Sequence, residues 1–266
     1  MTDKEYSLLL ADLARRCHSD LGKGEAAKVC VLRDISAMRN SQNLIWEFQQ
    51  ALEQGIHYSF EDLSDLSGYF AEGSTGIFDF EELKEISVNA ELGTRIGETK
   101  KAFEDYPLAE RIVKRITPLP FIRQGFIRIF DPEGDILDSA SPQLTSIRRN
   151  IGSLRGRIQR TMQSMIAEPR MENFLQEKFI TQRDDRFVIP IKESAASFVP
   201  GIVQSRSGSR STVFIEPAQI VPMNNEMQLL KEEEKREIHR ILSEFSLSIR
   251  ERSRELLRNQ ENLARL

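Results

Sequence analysis

The chain has 266 residues, of which 39% are apolar and 29% charged, with two cysteines. That is enough for one or two domains with a sizeable core, and it excludes a disulfide-stapled peptide and an intrinsically disordered chain. No apolar run approaches the roughly 20 residues needed to cross a bilayer, and "MTDKEYSLLLADLARR" carries acids where a signal peptide would carry a basic region, so the protein is read as cytoplasmic with no membrane partner.

The net charge of −4 hides an asymmetry. Of 37 basic and 41 acidic residues, 16 and 25 fall in residues 1–138 and 21 and 16 in residues 139–266, a balance of −9 against +5. An acidic first half joined to a basic second half points to a polyanion meeting the second half.

The first half reads as moderate helices divided by turn signals. "YSLLLADLARRCHSDLGKGEAAKVC" places Leu9, Leu10, Leu13 and Ala14 at helical spacing, breaks at "LGKG", and resumes as a second helix. "RNSQNLIWEFQQALEQG" is a third, closed by Gly55 as a C-terminal cap, with Trp46 and Phe48 read as core. "DFEELKEISVNAELGTRIGETKKAF" opens with acids in its first turn, which the helix dipole favours, and continues with Leu83, Ile86, Ala90 and Leu92. "AERIVKRI" is the next helix, stopped before Pro118. Cys17 and Cys30 lack paired spacing, and His18, His57 and His239 stand apart, so no metal site is expected.

In "DPEGDILDSASPQLTSI", "DPEG" is a turn, "DILD" a short extended piece, and Ser141 with Pro142 starts a helix as cap and first residue. Leu144, Ile147, Ile151, Leu154, Ile158, Thr161 and Met165 then step by three and four, a heptad seam seeking a partner helix. Gly152 and Gly156 cost that helix about 1 kcal/mol each relative to alanine, which predicts close packing or mild bending there. The partner is the last segment, Met223 to Leu266, with a stripe of Met227, Leu230, Ile238, Ile241, Phe245, Ile249, Leu256 and Leu263 on one continuous helix. Between the two, "RFVIPIKES", "GIVQSRS" and "STVFIEP" read as a small antiparallel sheet, with Pro190 and Pro200 at strand edges or ends. The fold class is mainly α with a small antiparallel β subdomain: a helical region, a helix out, a β tip and a helix back.

No Asp or Glu occurs from Ser139 to Ala167, a span with Arg148, Arg149, Arg155, Arg157 and Arg160, nor from Ser194 to Ile215, which holds Arg206 and Arg210. Guanidinium groups bind two phosphate oxygens at once and stay charged, and serine hydroxyls add hydrogen bonds without reading bases. The candidate nucleic-acid contacts are therefore Arg206, Arg210, Ser207 and Ser209 in "QSRSGSRS", Arg183, Arg186 and Lys192 beside them, and Arg148, Arg149, Arg155 and Arg157 on the helix. The competing reading pairs the helix arginines with glutamates of the returning helix such as Glu244, Glu251 and Glu255. Glu232, Glu233 and Glu234 point in different directions on a helix and read as a solvated, self-paired face. There is no P-loop, G-x-S-x-G, H-E-x-x-H or Ser/His/Asp constellation, so no catalytic residue and no cofactor are assigned to this chain.

Four motifs, "DILDSASPQLTSIR", "RDDRFVIPIK", "PGIVQSRSGSRSTVFIEP" and "NNEMQLLKEEEKREIHRIL", with "LGKGEAAK" nearer the start, make the chain resemble the N-terminal portion of the second bacterial paralogue of the MutS family. The resemblance implies a helical core over 1–138, an outgoing lever helix over 139–182, a β clamp over 183–221 and a returning lever helix over 222–266, ending before an ATPase domain. It further implies a homodimeric full-length ATPase and endonuclease, with ATP and Mg bound outside these residues, that acts on branched DNA and suppresses homologous recombination. Binding of ribosomal RNA or the ribosome is an implied alternative for the same arm. Where that branch has "GIVHDQSASGAT", this chain has Gln204 for a histidine, Ser205 for an aspartate, Arg206 for a glutamine and Arg210 for a glycine, which makes the tip more basic. A third reading has the heptad seams pairing between chains as a dimerisation scaffold, with the arginines solvated.

Overall fold

The computed structural model describes residues 3–71, 73, 75–208 and 211–266. They form two compact units, one of residues 1–137 with 242–266 and one of residues 138–241.

The first unit is helical. Helices α1 (Asp3–Arg16) and α2 (Asp20–Ala27) are separated at residues 17–19, where the Ser19 hydroxyl accepts from Gly22 N–H and caps α2. "LGKG" therefore lies inside α2 and not at the break expected from its glycines, because the Ser19 cap and the acidic Asp20 set the start upstream. Helix α3 (Ile35–Glu53) ends as foreseen, with Gly55 at φ 85° just past its last turn. Phe48 packs against the core, but Trp46 is 58% exposed on the opposite side of α3, which overturns its assignment to the core.

Helix α4 (Phe80–Glu98) has a full capping box between Asp79 and Glu82, and Leu83, Ile86, Ala90 and Leu92 are all buried. It stops at Glu98, so "TKKAF" forms a separate 3-10 turn. The short helix α5 (Pro107–Val113) has no cap of its own. Glu47 of α3, buried, accepts from both Leu108 and Ala109 N–H at 2.8 Å and satisfies its first turn. Helix α6 (Pro120–Ile129) had no counterpart in the sequence reading. Its Gly125 lies so close to Phe245 that a Cβ there would sit 2.4 Å from the ring.

The second unit begins with the turn Asp138–Ala140 and helix α7 (Pro142–Ile166), capped by Ser141 with Pro142 in its first turn. Leu144, Ile147, Ile151, Leu154 and Ile158 are buried as the seam predicts, but the next buried position is Met162. Thr161 instead turns its hydroxyl back to the Arg157 carbonyl, 3.0 Å away. Among the described residues nothing lies within 4 Å of a Cβ placed on Gly152, so of the close packing or mild bending expected there, close packing is not seen.

The sheet has strands β1 (Thr181–Arg183), β2 (Arg186–Lys192), β3 (Gly201–Arg206) and β4 (Thr212–Pro217) in the order β1-β2-β4-β3, all antiparallel. Three of the four were legible; β1 has only three residues. Pro190 sits within β2 and faces its carbonyl away from β4, toward Gln176 N–H, so its missing donor costs the β2–β4 ladder nothing. Gly201 opens β3 where a Cβ would meet the Glu216 carbonyl at 2.3 Å. The β1–β2 turn consists of Asp184 and Asp185, both at positive φ (48° and 63°), and the Asp185 carboxylate is held by Lys231 at 2.7 Å.

Helix α8 (Val221–Arg250) pairs with α7 in antiparallel fashion. Glu237 meets Ser141, Glu234 meets Arg148, and Glu226 meets Arg157, so partners retreat along α8 as positions advance along α7. Ile147, Ile158, Met162, Ile189, Ile215 and Met227 share the core between helices and sheet. The expected single returning helix is broken: after Arg250 the chain turns through Glu251 and Arg252, the latter at φ −109° and ψ 15°, and α9 (Ser253–Ala264) belongs to the first unit. There Asn259 bonds both the amide and the carbonyl of Thr117, and Gln260 bonds Leu66 N–H and Asp65, tying α9 into the helical core.

Candidate nucleic-acid interface

The sheet of the second unit is organised around one carboxylate. Glu216 in β4 has no exposed surface, and a buried carboxylate requires partners. Arg186 Nη1 reaches its two oxygens at 2.8 and 3.1 Å, Asn224 Nδ2 donates at 2.9 Å and Gln204 Nε2 at 2.5 Å. Asn224 also exchanges hydrogen bonds with the amide and carbonyl of Phe187, and Arg186 Nη2 donates to Asn225. One hydrogen-bonded cluster thus joins β2, β3, β4 and α8.

In this cluster the Arg186 guanidinium, a sequence-predicted phosphate contact, is engaged by Glu216 and Asn225. Gln204 likewise faces inward. The signal was present in the sequence, because a glutamate inside the apolar run "TVFIEP" demands a cation, but the choice of Arg186 over its neighbours is a matter of register.

At the β3–β4 end, Arg206 forms an ion pair with Glu193, which lies one residue outside the acid-free window and is brought alongside by the β2–β4 pairing. Arg206 is thus exposed but not without a carboxylate neighbour. Ser207 closes the hairpin: its amide donates to Thr212 O at 2.9 Å and its hydroxyl accepts from Thr212 N–H at 3.2 Å. Ser209 and Arg210 lie outside the described residues. Lys192 donates to the Asn173 carbonyl at 3.1 Å, which pins the segment before β1. Arg183 is exposed, stacks its guanidinium over Phe214 at 4.3 Å and makes no ion pair among the described residues.

The helix arginines divide. Arg148 bonds Asp138 at 2.5 Å and Glu234 at 2.6 Å, and Arg157 meets Glu226 at 3.2 Å. Pairing with α8 therefore occurs, through Glu226 and Glu234. Glu234 consequently reaches across to α7 and is not part of a self-paired face, whereas Glu232 does pair with Lys235 on its own helix. Arg149, Arg155 and Arg160 are exposed and make no ion pair among the described residues. Arg149 and Arg160 are eleven residues apart, about three helical turns or ~16 Å, and so share one face of α7. Gly152 and Gly156 lie between them on the same side of the helix.

The protein is mainly helical with a small four-stranded antiparallel sheet, and its second unit carries exposed arginines on α7, a helix without acids. No family model matches the chain. Curated relatives do: it is 32% identical to Endonuclease MutS2 of Pelotomaculum thermopropionicum over 250 residues, covering 92% of this chain and 32% of the relative. To Endonuclease MutS2 of Shouchella clausii it is 31% identical over 268 residues, covering 98% and 34%. To that of Halothermothrix orenii it is 35% identical over 220 residues, covering 83% and 26%. The chain belongs to the MutS2 family, and it spans about a third of the length of these relatives.

Proposed function

We propose that this chain is a nucleic-acid-binding region of a MutS2-type protein that grips the sugar-phosphate backbone without reading sequence, and that its preferred ligand is branched DNA of the kind formed in recombination. In this reading the second unit is the lever and clamp of MutS type, with α7 outgoing, the sheet as clamp and α8 returning. ATP hydrolysis, the nuclease chemistry named for the relatives and dimer closure belong to other parts of the whole protein.

The observation that carries the proposal is the α7 face bearing Arg149 and Arg160, exposed, without ion-pair partners among the described residues and inside a 29-residue window, 139–167, that contains no acid. Arg183, exposed and without an ion pair among the described residues, adds to it, and the more basic β3–β4 loop supports it through Arg206 and Arg210. Such contacts release counterions, so affinity falls with salt at about 0.9 log unit per log unit of salt for each phosphate engaged.

The test is fluorescence anisotropy of a labelled four-way junction at several NaCl concentrations. Wild type is expected to show a steep slope, and the double variant Arg149→Ala/Arg160→Ala a slope shallower by about 2. A binding constant indifferent to salt, or unchanged in the double variant, removes the reading. Competition with ribosomal RNA decides between DNA and RNA as the preferred polyanion.

A further inference from the structure

Between α7 and the β1 segment lies an open groove of about 940 Å³, at the upper end of the ~300–1,000 Å³ found for small-molecule sites. None of the side chains lining it is acidic. One wall is a single face of α7, where Arg155, Gln159 and Gln163 follow one another at four-residue spacing. The other carries Lys178, Phe179 and Gln182. Arg155 has no carboxylate partner, and the three glutamine amides make no hydrogen bond among the described residues. Lys178 holds Glu172 at 2.7 Å, but both side chains are more than half exposed, so a phosphate can displace that pair at little cost. Phe179 is 40% exposed, a large aromatic side chain left facing a polar groove.

We infer that this groove is a binding site for an unpaired nucleotide of a single-stranded nucleic acid, with the base stacked on Phe179, its edge met by the glutamine amides, and the phosphodiester held by Arg155 and Lys178. The combination selects the ligand. An acidic peptide has no use for the ring, and two cations are few for it. A base within an intact duplex is already stacked and cannot enter a concave site. An unpaired base offers a π-face to the ring, donors and acceptors to the amides, and a charge to the guanidinium at once. The inference rests on the nucleic-acid reading in its choice of ligand, but neither Arg149 nor Arg160 lines the groove.

The experiment uses the 266-residue chain with labelled oligothymidylate and oligouridylate twelve-mers and a blunt duplex of the same length. Phe179→Ala is expected to weaken binding of one or both single strands about ten-fold, within the range for loss of one base–aromatic stack, and to change duplex binding less than two-fold. The stronger of the two single-strand ligands identifies DNA or RNA as the source. Arg149→Ala/Arg160→Ala is expected to do the reverse, so the two readings fail separately. Unchanged single-strand affinity in Phe179→Ala, or an equal loss for single strands and duplex, overturns the groove. As a second readout, Phe179→Trp in a Trp46→Phe background should lose emission when the twelve-mer saturates it. Emission unaffected at saturation also overturns the assignment.

Discussion

The sheet of the second unit and the outer face of α7 both carry arginines, and they use them in opposite ways. Arg186 is spent inside, holding the buried Glu216 and, through it, Gln204 and Asn224 from other elements. Arg149 and Arg160 are left outside and make no ion pair among the described residues. The difference teaches that an acid-free stretch of sequence is acid-free in space only where the backbone keeps its own company. On the side of α7 turned from α8, neighbours along the chain remain neighbours and the window over 139–167 leaves an open face, whereas Glu226 and Glu234 of α8 reach Arg157 and Arg148. In a sheet, pairing imports residues from elsewhere, and Glu193 and Glu216 arrive beside Arg206 and Arg186 from outside or across the strand.

The contrast can be tested most severely at Arg186. Its replacement by alanine leaves Glu216 with amide partners only, and breaking a buried pair costs about 3–5 kcal/mol. Urea unfolding should show that loss, while the paired apolar change Arg186→Met/Glu216→Leu should recover most of it. If Arg186→Ala unfolds at the wild-type midpoint, the cluster does not hold the sheet together.

A smaller effect is expected at Glu237, where the helix pair keeps a buried carboxylate. The bidentate hydrogen bonds from Arg240 hold it below the ordinary glutamate range against the opposing effect of burial, and Ser141 adds a further donor. A lowered folded value contributes stability that is fully present above the unfolded value of about 4.3 and is lost as pH falls through the folded one. The melting temperatures of wild type and Glu237→Gln, compared from pH 3 to 7, should therefore converge on the acid side. A constant gap across that range contradicts the assignment. The smallest effect belongs to Arg149→Ala/Arg160→Ala, which should shift stability by no more than about 0.5 kcal/mol, because neither side chain has a partner to lose.

Much of the fold was legible in local patterns. The Ser141–Pro142 start, the five-residue seam from Leu144 to Ile158, the acidic opening of α4, the Gly55 cap and three of four strands are each written within a few residues. What escaped depends on distance or brevity. Strand β1 is too short to show a period, and α6 is a ten-residue helix whose Gly125 is required by the ring of Phe245, far along the chain. The turn at Glu251 and Arg252 has neither proline nor glycine, so an apolar stripe that continues through it masks the end of α8. Of the candidate site, the sequence singled out Arg149, Arg155 and Arg183, which make no ion pair among the described residues, together with Arg148, Arg157 and Arg186, which long-range glutamates engage. Ion pairing across 30 to 86 positions has no local signature.

The cap that Glu47 supplies to α5 bears on the order in which the first unit assembles. A seven-residue helix is far below the length at which helices persist alone in water, and its leading amides are satisfied from a residue 61 and 62 positions earlier. Helix α5 is therefore expected to depend on the docking of α3 and to form late in folding. Its amides should be among the first in this unit to exchange with deuterium when Glu47 is replaced.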